Sequence, residues 1–165
     1  MNKRVIKKVA TKRERALSKD VGGRRHTGSG SLWYKKSDAS DGDFQYEDKF
    51  TEKDYYTVTI TSLNKIEREA RTVNKIPVFK FGLLNKHDYV VLRDKDCIYD
   101  IKTLKRSLVG NKNMRLYFSN IHTISSISSY KIFIGLLLES KAFVLMSYKD
   151  FLDVKDKIVK GEKIQ

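Results

Sequence analysis

Alternation of polar and apolar residues is clearest over positions 43–51. There Phe44, Tyr46, Asp48 and Phe50 fall on one side of an extended chain, and Asp43, Gln45, Glu47, Lys49 and Thr51 on the other. Asp41-Gly42, just before it, is a two-residue hairpin signal, because both central residues of a type I′ turn need positive φ. The pattern therefore predicts a hairpin with Ser40 facing Asp43, Asp38 facing Gln45, Lys36 facing Glu47 and Tyr34 facing Lys49. Downstream, 55–60 reads as a strand, Thr61 or Ser62 as a helix cap, and 62–74 as an amphipathic helix with Leu63, Ile66, Ala70 and Val73 on one face. Positions 77–83 read as a buried strand. Upstream, Thr11 and Glu14 have the spacing of a capping box, and Gly22-Gly23 supplies a stop, which predicts a short helix over about 12–21. In the second half, apolar runs at 89–92, 131–138 and 142–146 predict strands, followed by a helix over 148–160 capped by Ser147. Positions 109–130, with their Asn and Ser clusters, read as a long loop or insertion; within it, 114–118 could stack on bases or belong to a core.

Composition adds a large charge to this pattern. The 165 residues carry 34 Lys+Arg against 20 Asp+Glu, a formal net charge of +14, with 40% hydrophobic and 11% aromatic residues. That is enough apolar material for one folded domain, so the charge does not signal a wholly disordered chain. A single cysteine, Cys97, excludes a disulfide framework or a multi-cysteine zinc site and fits a reducing compartment. No apolar run approaches the roughly 20 residues that span a bilayer. The basic start is not followed by an apolar stretch, so no secretion signal is read and a cytoplasmic location is expected, the host cytoplasm if the source is viral. A cationic domain of this kind points to a polyanion, most often nucleic acid.

The charge is concentrated. Ten of the basic residues lie within the first 26 positions, against only Glu14 and Asp20. Lys3, Arg4, Lys7, Lys8, Lys12, Arg13, Arg24 and Arg25 are candidate phosphate contacts, and Ser29, in the small-residue loop 24–31, could approach a phosphate closely. A solvated basic tail and a plain connector are the alternatives. Positions 1–10 are expected to form a basic arm, and 11–165 a single domain.

The predicted hairpin also carries candidate chemistry. Directly opposed residues share a face, so Asp38 joins Glu47 and Lys49, diagonal to Glu47 at roughly 7–8 Å between backbones. Two carboxylates at that separation can close on one cation, and Mg²⁺ favours one or two carboxylates together with waters and substrate phosphate oxygens. Such an ion lowers the pKa of a bound water and offsets charge on a phosphorane, while the Lys49 ammonium could position the water. The alternative is the wet side of a sheet with ordinary cross-strand ion pairs. A three-residue turn would instead flip Asp38 and leave Asp43 as the available acid.

The order of helix, Gly/Ser loop, acid, Glu-x-Lys, capped helix and Pro-led strand resembles the PD-(D/E)XK nuclease superfamily. Within it, the run SGSLWYKKSDASDGDFQYEDKFT with TSLNKIEREA and IPVFKFGL is similar to the small Holliday-junction-resolvase-like endonucleases of phages and archaea. The resemblance covers about 11–83. It implies an α/β, restriction-endonuclease-like core with a central mixed sheet flanked by helices. It also implies a metal site at Asp38 and the Glu47-Asp48-Lys49 element, with Asp48 included among the ligands and eight residues between the two acids, and Glu14 as a helical helper if it is not a cap. No Pro precedes Asp38, a departure from the family pattern. The expected activity is Mg²⁺- or Mn²⁺-dependent hydrolysis of DNA, on branched DNA such as four-way junctions, by a homodimer that makes two cuts. The rival is a non-catalytic nucleic-acid-binding protein whose hairpin acids are only surface charges.

Overall fold

The computed structural model describes residues 3–25, 37–83, 87–99, 104–121 and 133–164; within these, 3–7, Arg24, Arg25, 104–107 and Phe133 are described by backbone alone. The chain opens with α1 (Lys3–Asp20), then β1 (Arg24–Arg25), β2 (Ala39–Ser40), β3 (Phe44–Thr51), β4 (Tyr55–Thr59) and α2 (Ile60–Thr72). It continues with β5 (Ile76–Leu83), β6 (His87–Arg93), β7 (Ile98–Tyr99), β8 (Leu104–Gly110) and β9 (Asn113–Tyr117). Finally come β10 (Phe133–Leu138), β11 (Lys141–Ser147), α3 (Tyr148–Lys160) and β12 (Lys163–Ile164).

Eight strands form one mixed sheet in the order β1-β2-β3-β5-β6-β11-β10-β8. The pairs β3/β5 and β10/β8 are parallel and the others antiparallel. Strand alternation divides the core into two layers. Phe79, Phe81, Leu83, Val91, Leu136 and Leu145 pack on one face under α2, through Leu63 and Ile66, and under Val58 and Leu116 of β4 and β9. Phe44, Tyr46, Val78, Val90, Leu92 and Val144 pack on the other face, with Leu17 and Val21 of α1 and Phe151, Val154 and Ile158 of α3. The expected α/β architecture, a central mixed sheet between helices, is therefore present. No helix among the described residues is long and apolar enough to cross a membrane.

Several elements depart from the pattern reading. Helix α1 begins at Lys3, not near Lys12, and runs without a break across positions 10 and 11, so Thr11 and Glu14 lie inside a helix rather than at its cap. Ala10, Arg13 and Leu17 recur at helical spacing, and the surrounding basic residues obscure that stripe. The predicted stop holds: Gly22 sits at φ 64° and Gly23 donates its N–H to the Ser18 carbonyl at 2.9 Å, a left-handed helix end suited to glycine. Thr59, not Thr61 or Ser62, caps α2 by accepting the Ser62 N–H at 3.1 Å. Ser147 caps α3 as expected, accepting from the Asp150 N–H. Strand β4 leaves the main sheet and pairs with β9 in a separate ribbon. Part of the expected loop 109–130 is thus a strand, because Met114 and Leu116 turn into the core while Asn113 and Arg115 face out. Positions 122–130, and Tyr34 and Lys36 of the predicted hairpin, lie outside the described residues.

Candidate active site

The register of the acid-bearing hairpin differs from the predicted one by two residues, and the difference is instructive. Ala39 pairs with Tyr46 and Ser40 with Gln45, so the turn is centred on Gly42-Asp43 rather than Asp41-Gly42. Asp41 is the cause. Its Oδ1 accepts the N–H groups of Asp43 at 3.0 Å and Phe44 at 2.7 Å, its own N–H donates to the Phe44 carbonyl, and its Oδ2 accepts the Tyr46 hydroxyl at 2.8 Å. An aspartate used this way closes the turn from its first position. Side chains repeat every two residues, so a shift of two preserves every face. Asp38 comes beside Glu47 rather than diagonal to it, with its N–H on the Tyr46 carbonyl at 3.0 Å.

Asp38, Glu47 and Lys49 are brought together on the face of β3 that looks toward α2. Lys49 Nζ lies 2.6 Å from Glu47 Oε1 and 3.8 Å from Asp38 Oδ2. Asp38 Oδ2 also accepts the Asp48 backbone N–H at 2.7 Å. Burial and the neighbouring Glu47 raise the Asp38 carboxyl from its ordinary 3.8 to about 6, against the opposing pull of Lys49 and that N–H; Glu14 adds to the rise. Burial disfavours the Lys49 ammonium, yet Glu47 and Asp38 outweigh it and hold its pKa above the usual lysine value.

Glu14 is thus near enough to be felt at Asp38, from the middle of α1. Among the described residues, no three His, Cys, Asp or Glu side chains gather closely enough to enclose a cation. The acid complement here is the pair Asp38 and Glu47.

Two expected site residues are placed elsewhere. The Asp48 carboxylate is on the opposite face of β3, where it accepts Arg13 Nε at 3.1 Å and Nη2 at 3.0 Å and pairs with Lys80 Nζ at 3.1 Å. Alternation along the strand forbids it from joining Glu47 and Lys49. Arg13, expected on DNA, is the partner in that contact; its side chain is 15% exposed and also donates to Asp88 Oδ1 at 2.7 Å. Lys8 and Lys12 are exposed on α1. Ser29 and the side chains of Lys3, Arg4, Lys7, Arg24 and Arg25 lie outside the described residues.

Other residues enter without having been foreseen. Lys65 of α2 brings its ammonium 3.9 Å from Glu47 Oε1, because the crossover from β3 to its parallel neighbour β5 lays α2 across that face. Tyr56 is close enough to feel Lys49 and Glu47; burial, the largest influence, keeps its hydroxyl above the usual tyrosine pKa. Beside it, the outer face of the β4/β9 ribbon holds Tyr55 against Tyr117, with the Arg115 guanidinium 4.6 Å and Lys53 Nζ 5.2 Å from the Tyr55 ring. Lys80 did leave a signal: a lysine inside IPVFKFGL, an otherwise apolar strand, has to find anions in the interior.

No protein-family model matches the chain, and no curated protein matches its sequence. Solved structures include a similar fold, that of Archaeoglobus fulgidus Hjc, a Holliday junction resolvase from an archaeal hyperthermophile, at a TM-score of 0.44 and 18% identity, covering 66% of this chain and 86% of that one.

Proposed function

We propose that this protein is a metal-dependent DNA endonuclease that hydrolyses phosphodiester bonds, with branched DNA as its substrate. The observation that carries the reading is the convergence of Asp38, Glu47 and Lys49 on one face of β3, as the sequence resemblance implied. The donor set suits Mg²⁺ or Mn²⁺. Two carboxylates with hard oxygen donors share a partly buried position beside Lys49, where burial first and Glu47 second raise the Asp38 pKa. Asp38 and Glu47 would hold the ion, which when bound supplies a Lewis acid and a more acidic water.

The remaining steps belong to the chain. Lys49, kept protonated by the two acids, is placed to orient the attacking water and to offset charge growing on the phosphorane oxygens. Lys65 adds a second ammonium on the same side, where it can meet a non-scissile phosphate oxygen. Exposed Lys8 and Lys12, and the ribbon cations Lys53 and Arg115, supply backbone contacts that carry no sequence information. Two cuts across a junction call for two sites, hence a homodimer.

The test is incubation with a synthetic four-way junction and a matched linear duplex, in Mg²⁺ or EDTA, for wild type, Asp38→Asn and Lys49→Ala. Cleavage that needs metal and is lost in both variants supports the reading. Cleavage that survives both refutes the site, and DNA binding without cleavage of any substrate assigns the protein to the non-catalytic alternative.

A further inference from the structure

Behind the candidate site lies a second cluster of charge that phosphodiester hydrolysis does not use. Arg13 of α1, Asp48 of β3, Lys80 of β5 and Asp88 of β6 form a closed quartet. Arg13 reaches both acids, and Lys80 Nζ lies 3.1 Å from Asp48 Oδ1 and 2.7 Å from Asp88 Oδ2. The side chains of Lys80 and Asp48 are only 4% and 3% exposed. The Lys80 ammonium also sits 4.9 Å from the Tyr148 ring, and the Arg13 guanidinium 5.6 Å from that of Phe50.

A buried ionic group is weak evidence of stabilisation, since apolar residues of similar volume often serve as well. Its placement suggests a different task. We propose that Arg13, Lys80, Asp48 and Asp88 form an ionic clamp that positions Asp38 for the metal and sets how closely Glu14 approaches Asp38, an inference that rests on the endonuclease reading above.

Three observations converge on it. Asp48 stands between Glu47 and Lys49, and the backbone N–H of this same residue is bonded to Asp38 Oδ2 at 2.7 Å. Holding its carboxylate from behind therefore fixes the direction of the bond that orients Asp38. Arg13 is the neighbour of Glu14, so the fork that seizes Asp48 also fixes how far α1 carries Glu14 toward Asp38. The sheet makes room for the clamp at Gly82, which pairs with Asp88: a Cβ there would lie 2.7 Å from Asp88 Oδ1 and 2.8 Å from both Arg13 Nη atoms. Arg13 and Lys80 are positioning residues in this scheme, acting through Asp48 and α1.

The test compares wild type with Arg13→Met, which keeps the aliphatic stem, and Gly82→Ala, which displaces the quartet without removing a charge. Mn²⁺ affinity is measured by titration calorimetry, kcat and KM on a four-way junction, DNA affinity in EDTA, and folding by circular dichroism and melting. The clamp predicts at least a tenfold weaker Mn²⁺ constant and a tenfold lower kcat in both variants, with KM and DNA affinity within twofold of wild type. Should Arg13→Met fail to fold, Gly82→Ala alone decides. Variants that melt lower yet bind Mn²⁺ and turn over as wild type assign the quartet to stability alone and overturn the proposal. Loss of DNA affinity with Mn²⁺ affinity intact returns Arg13 to the DNA surface and overturns it as well. If wild type binds Mn²⁺ but cuts nothing, the endonuclease reading falls while the Mn²⁺ titrations still decide the clamp; no Mn²⁺ binding by wild type overturns the clamp itself.

Discussion

Replacing Asp38 with asparagine should make the protein more stable at neutral pH while abolishing the proposed cleavage. Burial and Glu47 raise the Asp38 carboxyl from 3.8 to about 6, so the ionised form is disfavoured in the native state relative to the unfolded one. The native state then binds more protons than the unfolded state between those two values, and wild-type stability falls as pH rises through that window. At about 1.36 kcal/mol per pH unit of difference, the full penalty at pH 7 is about 3 kcal/mol. The side chain is 16% exposed, so solvent screening removes little of it. Asparagine keeps an oxygen for the Asp48 N–H and carries no charge. Its advantage over wild type should grow from about 1 kcal/mol at pH 4.5 to about 3 kcal/mol at pH 7. That corresponds to a Tm gain of roughly 6–12 °C at pH 7. Urea titrations and thermal melts across this range, in EDTA, measure it. Millimolar Mg²⁺ should then raise the Tm of wild type and leave the variant unmoved. An asparagine variant less stable than wild type at pH 7, or an advantage that does not change with pH, refutes the electrostatic account of the site.

Three further outcomes follow from the same structure. Lys49→Ala should lower the cleavage rate by about 10²–10⁴-fold in single-turnover assays with DNA affinity nearly unchanged, the range expected for loss of one group that manages a proton or a developing charge. Phe151→Ala should destabilise the fold by about 3–5 kcal/mol in urea titrations, because the fully buried ring meets Phe44 and Tyr46 edge-on. Arg115→Ala should weaken binding to all DNA substrates alike and reduce the slope of log K against log salt by about 0.9, as loss of one phosphate contact requires.

What the sequence made legible followed from strict periodicity. Phe44, Tyr46, Glu47 and Lys49 could be assigned to faces because a strand repeats every two residues, and that assignment survived even though the turn residues misled the register. The Asp41-Gly42 pair suggested a turn with positive φ, whereas the aspartate side chain itself closes the turn that forms. Ser147 marked the start of α3 because a cap is a local matter between a hydroxyl and a nearby N–H, here that of Asp150. The sites of failure are long-range. Whether Arg13 faces solvent or Asp48 depends on a partner 35 positions away, and whether Lys65 reaches Glu47 depends on a parallel crossover. The strand status of 113–117 likewise needed β4 as a partner. The misplacement of Asp48 has a different origin: adjacency to two site residues in sequence suggested membership, although its position on the strand guarantees the opposite face.

The hydrogen bond from the Asp48 N–H to Asp38 Oδ2 gives the protein a spectroscopic handle at its own site. A short amide bond to a carboxylate strengthens with the charge on the acceptor, so this one amide proton should resonate downfield when Asp38 is ionised and move upfield as it takes a proton or shares its electrons with a cation. A single backbone resonance would then report occupancy of the site, with no substrate present and no probe attached.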